Sequence, residues 1–123
     1  MEYCCCSGKS AAQETLSGET MIVRIWNGVA LEHNADMYRR HFADVLVPRL
    51  RDVNGFLGYS VLEREERGRI QFVVITRWDD MDAIRAFAGI MPDKAVVEEE
   101  VRPFLEEFEE YVTHYIVAME EHR

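Results

Sequence analysis

The side chains best suited to chemistry in this sequence are two histidines, an asparagine and a set of phenols and indoles embedded in apolar stretches. His41 lies three residues after Tyr38 and four before Val45, so it borders an apolar helical stripe without sitting at its centre. An imidazole there can act as a base or a metal ligand, or be simply half-exposed. His114 is flanked by Val112 and Ile116 on its own face of a strand. It either acts on a ligand or is a satisfied core or interface residue. Asn27 is the one amide of the first strand; it is either a polar group for a pocket or a strand-end residue bonding to backbone. Tyr59 and Tyr115 share its alternation set and offer phenols to a substrate oxygen. Trp26 and Trp78 each carry an N–H that needs an acceptor when buried. Phe42, Phe87 and Met91 either line a pocket or fill the core, Met91 as a flexible gap filler.

Other chemistries find less support. The runs Glu98-Glu99-Glu100, Glu106-Glu107 and Glu109-Glu110 invite a metal reading. Val97, Val101, Phe104, Leu105 and Phe108 recur at helical spacing, however, and turn those carboxylates toward water. GxSxG, Walker, GxGxxG and HExxH motifs are absent, and Ser60 is the only serine after residue 20. The residues call for no metal and no cofactor. Cys4, Cys5 and Cys6 are adjacent, a poor arrangement for zinc, whose ligands come from separated pairs. S-acylation is an alternative use; the plainer reading is a set of reduced thiols in the cytoplasm.

These side chains need elements to place them. Residues 21–29 are β-branched and aromatic and predict a first strand. A helix follows, with Asn34 as its cap and Tyr38, Phe42, Val45, Leu46 and Leu50 as its buried stripe. Pro48 should kink or end it. Strands are expected over 56–64 and 69–78, joined by a polar hairpin loop at 65–68. Asp79 or Asp80 caps a second helix from Met81 to Phe87, which Gly89 and Pro92 break. A third helix is expected through Val97–Phe108, kinked or restarted at Pro103, and a last strand over 111–118. The order is β-α-β-β-α-β, an α+β ferredoxin-like plan with a four-stranded antiparallel sheet.

The whole chain is consistent with that plan. It has 123 residues and 14.4 kDa, room for one domain. Residues 1–20 read as a disordered or appended tail and residues 21–123 as the domain; a start at Met21 would leave that domain complete. A net charge of −9 excludes a general nucleic-acid backbone binder, and no apolar run is long enough to span a membrane. Apolar content is 48%. Strand alternation yields two sets. One holds Ile22, Arg24, Trp26, Gly58, Ser60, Leu62, Arg64, Phe72, Val74, Thr76, Trp78, Val112, His114 and Ile116. The other holds Val23, Ile25, Asn27, Leu57, Tyr59, Val61, Val73, Ile75, Thr113, Tyr115 and Val117. Neither looks solvated, so the expectation is a homodimer packed sheet to sheet. Arg24, Arg64 and His114 fall in one set and are expected to meet.

Arg24-Ile-Trp26-x-Gly28, Gly55-Phe-x-Gly58, Thr76-x-Trp78, Phe87-Ala-Gly89 and His114-Tyr115, in that order, resemble the antibiotic biosynthesis monooxygenase superfamily of dimeric α/β barrels. The resemblance covers about residues 21–118. It implies a pocket between sheet and helices and a reaction of oxygen with an electron-rich aromatic or polyketide-like molecule, without metal or flavin. It implies Asn27, His41, Tyr59 and His114 as catalytic candidates. Tyr38, Phe42, Trp78, Phe87, Met91 and Tyr115 become candidates for binding a small hydrophobic or aromatic substrate. Asn27 resembles the strand-one asparagine of the heme-degrading branch. This sequence departs from that branch elsewhere, with Phe87 at the tryptophan position and no histidine between His41 and His114 to ligate iron. The alternative to a monooxygenase is a non-catalytic dimeric module of the same fold, binding a small molecule or serving in a stress response.

Overall fold

The computed structural model describes residues 21–123; the tail and the Cys4–Cys6 cluster lie outside the described residues. Three long strands form the frame: β1 (Ile22–Leu31), β2 (Phe56–Glu66) and β3 (Arg69–Trp78). β1 pairs antiparallel with β3 along its whole length, from Ile22 opposite Trp78 to Leu31 opposite Arg69. β2 and β3 form a hairpin that turns at Arg67 and Gly68. Both turn residues have positive φ, 56° and 79°, the requirement of a type I′ turn whose twist matches that of the strands. Two short strands, β4 (Glu107–Phe108) and β5 (Thr113–Ile116), pair with opposite ends of β1 and complete the sheet. The fold is ferredoxin-like α+β.

The first helical stretch begins as α1 (Glu32–His41). It starts three residues earlier than an Asn34 cap would allow, and Leu31 occupies the cap position with no side-chain bond. The backbone supplies the partner instead: Glu32 N–H donates to Gly68 O at 2.9 Å, tying the helix to the hairpin turn. Pro48 does not stop the helix. A π turn (Phe42–Leu46) precedes α2 (Val47–Arg51), and Val47 N–H reaches back to Phe42 O. Proline has no N–H to donate and its ring crowds the carbonyl four residues before it. The wider turn accommodates both, while keeping Phe42, Leu46, Val47 and Leu50 buried. α3 (Met81–Ala88) is capped by Asp80, whose Oδ1 accepts from Ala83 N–H at 2.9 Å.

The expected third helix does not form. Residues 93–101 run irregularly, with one 3-10 turn at Arg102–Phe104. Pro92 and Pro103 bracket a stretch containing β-branched Val96, Val97 and Val101, which favours extended backbone over helix. Val101 and Leu105 are still buried, so the apolar spacing recorded burial rather than helical conformation. The glutamates therefore do not form a helix face. The expected last strand is likewise divided, because residues 93–95 approach 110–112 through a single bridge between Lys94 and Tyr111.

One half of the alternation reading is also corrected. A bulge between Phe56 and Gly58 shifts the register of β2 by one residue. Tyr59 and Val61 then stand opposite Thr76 and Val74 on the inner face, while Ser60, Leu62 and Arg64 stand opposite Ile75, Val73 and Gln71 on the outer one. Arg64 therefore cannot meet Arg24 and His114, and Tyr59 does not share a face with Asn27. The helices and the 95–105 segment cover the inner face, where Trp26, Phe72, Val74 and Trp78 form the core with Tyr38, Leu50 and Ile84.

Candidate functional site

The inner sheet face, the α1–π–α2 stretch and residues 96–101 enclose a cleft of about 50 Å³. Its walls are mostly apolar: Trp26 and Val74 from the sheet, Tyr38, Phe42 and Leu46 from the helical stretch, Phe87 from α3, and Val96, Val97 and Val101. The π turn places Phe42 and Leu46 there, so the local response to Pro48 shapes the wall. Tyr38 stacks on Trp26 with ring centres 5.8 Å apart and lies 4.7 Å from Phe72. Burial raises the Tyr38 phenol above its ordinary range, so it is a neutral hydroxyl at neutral pH.

Three polar side chains reach this cleft: His41, Arg24 and Thr76. His41 Nε2 lies 3.0 Å from Glu98 Oε1, and the other carboxylate oxygen of Glu98 accepts from Arg49 at 3.2 Å. A carboxylate only accepts, so the Nε2 that faces Glu98 carries a proton. Arg24 is 5% exposed. Its Nη1 donates to Pro92 O and lies 3.3 Å from His114 Nε2, and its Nη2 donates to Lys94 O at 3.0 Å. His114 Nδ1 lies 3.2 Å from Asp93 Oδ1. Arginine only donates, so Nε2 of His114 is the acceptor and its Nδ1–H points to Asp93. Desolvation, and then the Arg24 charge, lower the His114 pKa, in keeping with a neutral ring. Burial also brings the Arg24 pKa down to about 10, which leaves it a cation at neutral pH.

The structure gathers some of the residues singled out by type and separates others. His41, Tyr38, Phe42 and Phe87 line the cleft, and His114 stands behind Arg24. Tyr59 is 41% exposed and packs edge-on against Phe42 at 5.3 Å, outside the cleft lining. Trp78 is fully buried between Phe56 and Phe87, its indole N–H donating to Thr76 Oγ1 at 2.8 Å. Met91 lies in a separate surface groove with Ile90 and Lys94. Tyr115 pairs opposite Val23 and is exposed on the outer face. Asn27 also points away from the cleft, and its amide and its backbone N–H both donate to Glu109 Oε1, at 3.1 and 3.0 Å.

Two members of the site escape a reading by type. Strand alternation places Arg24 beside His114, as the structure bears out, but does not assign it to the cleft; its isolation between Ile22 and Trp26 on one face was the available signal. Glu98 is hidden among like residues, and only the irregular path of 93–101 brings it to His41. Among the described residues no group of three His, Cys, Asp or Glu is placed to hold a metal ion, and no helix is long and apolar enough to cross a membrane.

Comparison with known proteins gives a family match and a set of fold relatives. The model of the family described as antibiotic biosynthesis monooxygenase matches residues 29–89. A Bacillus cereus protein provisionally described as an antibiotic biosynthesis monooxygenase superposes with a TM-score of 0.60 at 18% identity, covering 85% of this chain and 99% of that one. A dimeric ferredoxin-like protein from an uncultured marine organism gives 0.62 at 14% identity, covering 84% and 100%. The heme-degrader MhuD of Mycobacterium tuberculosis, with two hemes bound in its active site, gives 0.55 at 20% identity, covering 82% and 99%. No curated protein matches the sequence.

Proposed function

We propose, from the premise that this chain carries an antibiotic biosynthesis monooxygenase domain at residues 29–89, that the cleft oxidises a small aromatic molecule with molecular oxygen. One observation carries the reading: an apolar, aromatic-walled cleft holds a histidine oriented by a half-buried carboxylate, His41 with Glu98 at 3.0 Å. An activated aromatic methylene, as in a hydroxylated anthrone, can react there with oxygen to give a carbonyl and water. His41 Nδ1 takes a methylene proton, and the electron pair left on carbon passes to O2 as the C–O bond forms. The distal oxygen of the adduct takes that proton back from His41, which then removes the second methylene proton as the O–O bond breaks and passes it to the departing hydroxide, so that water leaves and the carbonyl forms. Carbon is oxidised, oxygen is reduced and no further reductant is consumed. Trp26, Tyr38 and Phe42 supply faces for the ring, and exclusion of water strengthens every polar interaction within.

The cavity volume, about 50 Å³, is well below that of a ligand-sized pocket, about 300 Å³ or more. Entry therefore displaces Phe87 or the half-buried Val96 and Val97. This tightness is the observation favouring a second reading, a non-catalytic module that binds a small apolar molecule. Oxygen uptake with a panel of hydroxylated anthrones and hydroquinones separates the two. The first reading expects uptake that His41→Ala removes; its absence across the panel leaves the second. On either reading the outer sheet face, with Val23, Ile25, Val73 and Ile75, is covered by a second copy, and the protein works in the cytoplasm.

A further inference from the structure

Arg24 is the least expected feature of the cleft. It is a cation, 5% exposed, and its immediate partners are two carbonyls and a neutral imidazole. The carboxylate it senses, Asp93, reaches it only through His114. A buried charge without a directly bonded counter-ion is costly, and its neighbours must compensate for lost water. Three of its five N–H donors are engaged among the described residues. The Nε–H and one Nη2 N–H are left over. The Phe87 ring lies within 5.8 Å of its guanidinium and 5.4 Å of that of Arg49, so this wall of the cleft has cations against an aromatic face. The other charged groups here are spent on each other: Glu98 on His41 and Arg49.

We propose that Arg24 is an anion anchor and that the cleft selects small aromatic molecules bearing an ionised oxygen, a phenolate or a carboxylate. Asp93 and His114 position it: Asp93 fixes the His114 tautomer, and His114 Nε2 holds Nη1 so that the spare donors keep one orientation. This rests on the cleft being the ligand site and names the substrate class it takes. The chain as a whole is strongly acidic, so the preference arises locally rather than from long-range attraction.

The test uses 4-nitrophenol, whose phenolate absorbs in the visible, with the full-length protein. An apolar cavity alone favours the neutral phenol and raises its pKa, whereas a cation beside the oxygen lowers it. The expectation is a lowered pKa on binding, seen as phenolate absorbance gained on adding protein at the free phenol's midpoint. Arg24→Gln should reverse the shift, Arg24→Lys should keep its sign, and His114→Gln should shrink it. A raised or unchanged pKa with wild-type protein overturns the proposal without any variant needing to fold. Absence of binding overturns both this inference and the use of the cleft. A lowered pKa without oxygen uptake on the phenol panel sustains the anchor and removes only the oxygenase reading.

Discussion

His114 is held between a carboxylate and a guanidinium, and its pKa is pushed down first by burial and then by the Arg24 charge. The unfolded chain therefore binds a proton here more readily than the folded one. Stability contributed by the neutral ring is full above the ordinary histidine value, about 6.5, and is lost as pH falls through it toward the lowered folded value. Urea midpoints measured at about pH 7.5 and about pH 5.5 should drop more for the wild type than for His114→Gln, since the variant removes the titrating ring. Glu98 acts differently, by fixing which nitrogen of His41 is basic. Glu98→Gln presents an amide that can satisfy either tautomer, and oxygen uptake should fall at least about tenfold while the melting temperature moves little. Equal activity in wild type and variant would remove Glu98 from the mechanism. The histidines were visible in the sequence as types, and strand alternation placed Arg24 with His114, which it meets at 3.3 Å; Asp93 and Glu98 were not foreseen, because they lie 21 and 57 residues from the rings they meet.

At the scale of elements, the strands and the two shorter helical stretches were legible because their apolar periods match their geometry. Asp80 at the head of α3 has the expected capping bond. Asp80→Ala should cost about 1 kcal/mol, read from urea midpoints. The β2–β3 turn has its second residue, Gly68, at φ 79°, with open space where a Cβ would stand. Gly68→Ala meets no clash but does meet backbone strain, and should cost roughly 1 kcal/mol in the same assay. Gly28 is different: its φ is unremarkable, but a Cβ there would collide with the Trp26 ring. Gly28→Ala should cost about 1–3 kcal/mol and disturb the Trp26–Tyr38 stack, seen as a change in near-ultraviolet circular dichroism. The third helix misled because a period near four describes any segment that buries one residue in three or four. Pro92, Pro103 and the three valines decided its backbone.

At the scale of the whole molecule, no helix or loop among the described residues covers the outer sheet face. Val23, Ile25, Val73 and Ile75 lie on it, with Leu62 50% and Tyr115 56% exposed beside them. A continuous apolar surface of this kind marks an interface. The chain should sediment as a dimer at micromolar concentration, and Ile75→Lys should shift it to monomer with an unchanged far-ultraviolet spectrum. A monomeric wild type would contradict the packing of copies through this face.

The sequence by itself determined the element types of the sheet, the ferredoxin-like order and the apolar character of both sheet faces. Those follow from local propensity and from periods of two and 3.6 that each segment carries alone. Only the tertiary structure decided which faces the side chains occupy and which of them meet. One bulge at residues 56–58 moved Tyr59 from the outer face to the inner, because a register shift of one residue inverts a strand. One π turn ahead of Pro48 set the cleft wall, and one irregular segment carried Glu98 to His41. Asn27, the strand's only amide, ended on Glu109 at the outer face. Arg24, an arginine among many, became the buried cation of the cleft.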